Sequence, residues 1–315
     1  ERVLPNTDGR AYGLLIPDTA SRDWLLVHWH ETTDETTRLA RLMLLHENYQ
    51  ACLIPDALWL DALMNGLRAE TNPLLFSTIT SYISTPLRAL PSALREGPEE
   101  GLLRLSASHP QRSSRQRLLR MLIHSAAAPA TLARLYAIWR DRSEPLLNET
   151  DYTDLAYSLA VRLPDRSDSI VRTQRTRLTD PDRIRRFDFI SRAMTPDTAA
   201  LDTLFRSLLI PENRRIEPWT SALLGWLNHP TRERHAVRYI RPALDALRDV
   251  QRTGDIFFPR DWVGALLRNH RSPEAYRALL DFIDANPGYP PLLLNKVWQA
   301  AYPLYRANGE VKNEK

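Results

Sequence analysis

From about Ser21 onward, apolar side chains recur three and four residues apart, and that spacing holds to the end of the chain. Such stripes run through Leu39/Leu42/Met43/His46, Leu132/Leu135/Tyr136/Trp139, Leu201/Leu204/Phe205/Leu208 and Val237/Ile240/Leu244/Leu247. Each covers one side of a helix of a few turns and has to be buried against another element. Period-two alternation is confined to the start. There Asn6-Thr7-Asp8-Gly9 is a turn sequence and Tyr12, Leu14 and Ile16 alternate behind it, which predicts a β-hairpin, or the end of a preceding β-domain, over residues 1–16.

Many short helices without intervening strands bury their stripes by stacking in pairs. The expected fold is therefore all-α: an irregular α-α superhelix, a HEAT/armadillo-like solenoid of stacked helix pairs over residues 17–308, carrying the hairpin remnant in front. No repeat consensus recurs. Pro86, Pro91, Gly97, Pro98, Gly101 and Pro110, with three glutamates among them, place a looser joint at 86–110. The polar residues 309–315 read as a frayed tail.

Twenty-three prolines are compatible with this helical reading if they sit between helices. Thr32-x-x-Glu35 has the spacing of a capping box, and Asp180-Pro181, Thr195-Pro196 and Ser272-Pro273 each place a capping side chain before a proline. The stretch Arg248 to Trp262 ends one stripe, turns at Thr253-Gly254-Asp255 and restarts after Pro259. In it Gly254 is free to take a left-handed conformation, and Phe257 and Phe258 are both read as core.

Charge narrows the function classes. The net charge is +4, and only Lys296, Lys312 and Lys315 are lysines, so the cations are almost all arginines that match 38 acidic residues. Arg112/Arg115/Arg117/Arg120 lie on a helix whose Leu118, Leu119 and Leu122 face inward. They read as a solvated face and not as a nucleic-acid surface. No apolar run is long enough to span a membrane. The single cysteine, Cys52, excludes an internal disulfide and reads as a buried thiol; the compartment, cytoplasmic or periplasmic, stays open. The start at Glu1 without an initiator Met or signal peptide suggests a processed or excised chain.

Catalytic patterns are missing where they would be sought. His30-Glu31 and His46-Glu47 lack the second histidine of a His-Glu-x-x-His zinc helix. His28-x-His30 and the pair His229/His235 do not assemble a metal site, and no phosphate loop, dinucleotide fingerprint or nucleophile elbow occurs. Glu96/Glu99/Glu100 read as solvated. Around Asn213 to Trp219, two arginines, an acid and an aromatic fall together at a helix start, where a peptide carboxylate or amide can be held. Arg214, Arg215, Glu217 and Trp219 are the candidate ligand-facing residues.

A set of ordered short motifs gives a more specific indication. Leu4-Pro5-Asn6-x-Asp8-Gly9, Arg38 to Asn48 and Glu70-x-Asn72 come first. Asp151-Tyr152-x-x-Leu155-Ala156, Gln174-x-x-Arg177, Asp180-Pro181-Asp182-Arg183 and Arg186-Phe187-x-Phe189-Ile190 follow. Asn213-Arg214-x-x-Glu217-x-Trp219, Leu227-x-His229-Pro230, Gln251 to Pro259, Asn286-Pro287-x-Tyr289 and Leu304 to Ala307 complete the series. In order and spacing the chain resembles the C-terminal helical domain of M1-family zinc aminopeptidases of the bacterial aminopeptidase N type, patchily over 86–130.

The resemblance implies a non-catalytic domain, inactive alone, that arches over a catalytic domain and walls the chamber through which peptides enter. It implies zinc in the parent enzyme and no cofactor in this chain. The partners it implies are the protein's own catalytic domain and peptide substrates, with no nucleic acid and no membrane. The stacking pattern alone supports a different class: a free-standing helical-repeat scaffold that binds a protein segment on its concave face.

Overall fold

The computed structural model describes residues 3–6, 9–11 and 13–308. Seventeen α-helices account for most of them, and the chain divides into two compact units, Glu1–Leu155 and Ala156–Lys315. The fold is all-α, as the spacing predicts, and no strand is present among the described residues. Thr7, Asp8, Tyr12 and the expected tail at 309–315 lie outside the described residues. In the rest of the N-terminal stretch Asn6 replaces strand pairing with side-chain bonds: its Nδ2 donates to the Ala11 carbonyl and its Oδ1 accepts from the Ala11 N–H. Farther on, Asn48 Nδ2 donates to the Leu15 carbonyl and holds the segment on the helices.

The first unit contains α1 (Thr19–His28), α2 (Glu35–Gln50), α3 (Asp56–Ala69), α4 (Pro73–Ala89), α5 (Ser92–Ser108), α6 (Arg112–Ser125) and α7 (Pro129–Asp141); its boundary falls within α8 (Glu149–Arg162). Alternate helices stack into two layers. In one, His46 of α2 lies flat on Tyr82 of α4 at 3.6 Å, α4 packs on α6, and Arg120 of α6 holds Asp151 of α8. In the other, α1 packs on α3 and α5 on α7. Between them lies a core of Leu25, Trp29, Leu45, Trp59, Phe76 and Leu122 with their neighbours.

Trp29, at the end of α1, shows how closely α1 and α3 approach within their layer. Its indole donates to the Ala62 carbonyl, and a Cβ on Gly66 would fall 1.9 Å from the ring. Only glycine leaves room for the indole.

The second unit contains α9 (Ser167–Arg177), α10 (Pro181–Ile190), α11 (Thr198–Leu208), α12 (Glu217–Leu227), α13 (Glu233–Asp245), α14 (Leu247–Thr253), α15 (Phe258–Leu267), α16 (Pro273–Asp284) and α17 (Pro291–Asn308). The layering repeats. α10, α12, α15 and α17 follow one another in one row. In the other, Phe205 of α11 stacks on Tyr239 of α13 at 4.3 Å and α13 packs on α16. Trp262 is fully buried between elements and donates its indole N–H to the Ala243 carbonyl.

Several local expectations need correction. Residues 86–110, expected as a looser joint, form the end of α4 and the whole of α5, and Pro86, Pro98, Pro242 and Pro303 lie inside helices. Each removes one backbone hydrogen bond, a loss that tertiary burial of these helices outweighs. Helix α2 is capped by Asp34 and α11 by Asp197, each two residues beyond the expected caps Thr32 and Thr195; Asp180 and Ser272 cap as expected. A carboxylate accepts the amides of the first turn more strongly than a hydroxyl does, so the aspartates prevail where both residue types are in reach. Cys52 is half-buried at a positive φ of 61° after α2.

Candidate functional site

The expected ligand-facing residues sit at the start of α12, preceded by a single 3-10 turn, Pro211–Arg214. Arg214 points inward and is 2% exposed. Its Nη1 donates to the carbonyls of Leu208 and Leu209 at the end of α11, and its Nη2 to Asp249 and to Thr253 Oγ1. The guanidinium also lies over the Trp262 ring at 5.9 Å. Arg214 is therefore a strut that closes the C-terminus of α11 onto α14 and α15, and no ligand reaches it. The helix end favours a cation there because its last carbonyls carry partial negative charge. Arg252 and then Arg214, both bonded to Asp249, hold that carboxyl below its ordinary value.

Glu217 is also engaged within the fold. Its Oε1 accepts from the Asp255 N–H at 2.9 Å. Asp255 Oδ1 in turn accepts from the N–H groups of Phe257 and Phe258 at the start of α15. Gly254 lies between them at φ −112°, an extended conformation, so the expected left-handed turn is not what requires glycine. Space requires it: a Cβ would sit 2.4 Å from the Phe258 ring and 2.9 Å from Glu217 Oε1. Phe258 is buried, but Phe257 is 56% exposed beneath the Arg260 guanidinium. The two phenylalanines straddle the helix start, and only one can face the core. Trp219 is half-buried against Phe189, and Arg215 alone of the four candidates is exposed.

In the first unit, Arg38 grips Glu70 through Nε and Nη2 and donates Nη1 to the Thr32 and Thr33 carbonyls. Glu70 accepts the Asn72 N–H, Asn72 caps α4, and its Nδ2 returns to Glu35. The histidines considered as ligands are placed apart. His28 pairs with Glu31, His46 with Gln50, and His235 with Asp202 and Tyr239, while buried His229 stacks on Trp226. Among the described residues no three His, Cys, Asp or Glu side chains are grouped to hold a metal ion. None of the helices among the described residues is long and apolar enough to cross a membrane.

Two sites escape the sequence reading. Glu99 is completely buried, and its carboxylate accepts the N–H groups of Ala127 and Ala128 at the start of α7. Its neighbours Glu96 and Glu100 are solvated, and nothing in their order singles Glu99 out. The second is a groove of about 390 Å³ between α4 and α6 in the first unit, walled by serines on one side and by Arg117, Arg120 and Gln116 on the other. Its volume falls within the range of small-ligand sites.

No family model and no curated protein matches the chain.

Proposed function

We propose that this chain is the C-terminal helical domain of an M1-family zinc aminopeptidase, serving as lid and wall of the peptide-access chamber over a catalytic domain carried elsewhere in the protein. The reading rests on the ordered motif series, and one observation carries it furthest: motif pieces far apart in sequence interlock. Asn213–Trp219 meets Gln251–Pro259 through Glu217 and the Asp255 N–H, while Arg214 braces the adjoining Asp249 and Thr253. Arg38, Glu70 and Asn72, from two other pieces, form a second lock. Residues of this kind recur in a family because they hold its fold, which suits a domain that shapes a chamber without performing chemistry.

In this reading zinc and every catalytic group belong to the catalytic domain, and peptides and that domain are the partners. The chain by itself is expected to release no N-terminal residues from peptides with or without added zinc. The complete gene product is expected to do so and to lose the activity to a chelator. A complete product without zinc-dependent aminopeptidase activity overturns the assignment.

The two-layer stacking within each unit also favours a second reading, a helical-repeat scaffold for a protein segment. Mass spectrometry of the native gene product separates the two: a species near 36.3 kDa supports the scaffold, and one more than twice that mass supports the aminopeptidase.

A further inference from the structure

We propose that the groove between α4 and α6 is a recognition site for a single carboxylate carried by a small molecule or a short peptide. Many arginines are engaged by carboxylates or backbone carbonyls, as Arg38, Arg142 and Arg214 illustrate. Arg117 is one of those that are not, and it alone among them lines this groove. It is exposed and makes no ion pair or hydrogen bond among the described residues. Arg120 beside it engages Asp151 through Nε and Nη2, at 2.7 and 3.0 Å, so Nη1 has no hydrogen-bond partner among the described residues.

The opposite wall and the mouth of the groove add neutral donors. The hydroxyls of Ser84 and Ser113 have no partner among the described residues, whereas Thr80 and Ser81 bond their own helix. No carboxylate lines the groove. A cleft that offers guanidinium and hydroxyl donors without an internal acceptor is complementary to an oxyanion.

Charge decides which oxyanion. Asp151 offsets Arg120, which, with the lining His124 uncharged, leaves the groove a balance near that of Arg117 alone, matched to a monoanion and short of a phosphate dianion. A nucleic-acid backbone needs a run of cations along its track, and two arginines, one already paired, do not supply it. The floor is the buried side chain of Met121, so the ligand carries an apolar stem behind its carboxylate.

The test is amide NMR on the purified chain, titrated separately with N-acetyl-glutamate α-amide, N-acetyl-glycylglycine and inorganic phosphate at constant ionic strength. Saturable shifts confined to Ser84, Ser113, Gln116 and Arg117 with either carboxylate are expected. Binding is expected to weaken at least about tenfold in Arg117→Gln, while Arg172→Gln in the other unit leaves it unchanged. Both arginines are exposed, and matching melting temperatures verify that the variants fold. The tighter of the two carboxylates tells a side-chain from a C-terminal source. Phosphate binding more tightly than both, shifts that persist in Arg117→Gln, or no saturable shift at all overturns the proposal.

Discussion

Glu217 and Asp255, 38 residues apart, are joined by a hydrogen bond of 2.9 Å from the Asp255 backbone N–H to the Glu217 carboxylate. One carboxylate thereby ties the first turn of α12 to the turn that starts α15, and it does so across the only residue small enough to let it pass, Gly254. Two helices of one row are locked in register at their N-terminal ends. The lock uses a polar contact where exposure would make an apolar one weak.

Gly254→Ala is expected to destabilise the chain by about 1–3 kcal/mol, because the added methyl meets the buried Phe258 ring and the Glu217 carboxylate together. Its backbone conformation is one that alanine adopts readily, so the cost is steric. Urea denaturation measures it. A variant as stable as the parent would show that Phe258 repacks freely and that the lock is loose.

Phe258→Ala is expected to cost about 3–5 kcal/mol and Phe257→Ala no more than about 0.5–1 kcal/mol, since only the first ring is enclosed. The pair is a sensitive check because the residues are adjacent and chemically identical. Equal losses at both positions would contradict the placement of the α15 start.

Glu99→Ala is expected to cost about 1–3 kcal/mol through the two amides left unpaired at the start of α7, with Glu99→Gln less harmful because its amide oxygen still accepts. Loss of a buried charge works in the opposite direction, which keeps the figure modest. Thermal or chemical unfolding of the three proteins gives the order. Finding Glu99→Ala within about 0.5 kcal/mol of the parent would mean that water replaces the carboxylate.

Acid stability tests the half-buried carboxylate of Glu233. Burial alone would raise the Glu233 carboxyl, but the His270 ring, whose Nδ1 lies 3.7 Å away, and the hydrogen bonds from the Arg271 and Ser272 N–H groups outweigh it and bring the value from 4.5 to about 2. The folded state thus binds this proton more weakly than the unfolded state. The contribution is fully present above pH 4.5, declines as pH falls through that value, and is gone once pH passes below about 2. Its size is about 3 kcal/mol. Glu233→Gln is expected to lower stability at neutral pH and to flatten the stability profile across this window, and parallel profiles for the two proteins would refute the assignment.

Helix content, the core-facing stripes of α7, α11 and α13 and the positions of Asp180 and Ser272 as caps were legible because each depends on residues within a few positions of one another; in α2, by contrast, Leu39 and Met43 of the expected stripe are exposed and Leu44 and Leu45 face the core. Thr32 and Thr195 misled for a related reason. A better acceptor stood two residues on in both cases, and the choice between them is made by how the first turn meets its neighbours.

The candidate site divides along the same line. Arginines, an acid and a tryptophan at the start of α12 signal something from their chemistry alone, but composition cannot say that Arg214 turns inward to the end of α11 while Arg215 stays in water. Nor can it pick out Arg117 from the four arginines of α6. That residue stands apart only because Arg112, Arg115 and Arg120 find partners on other segments, at Pro145, Ser106 and Asp151.

An all-helical chain of stacked pairs follows from periodicity, since a stripe three and four residues apart can be buried in no other way. Which carboxylates are buried, which phenylalanine is core and which arginine is left for a ligand follow from contacts between segments tens of residues apart. Those contacts are settled by space and charge at each crossing, quantities that exist only once the helices have packed.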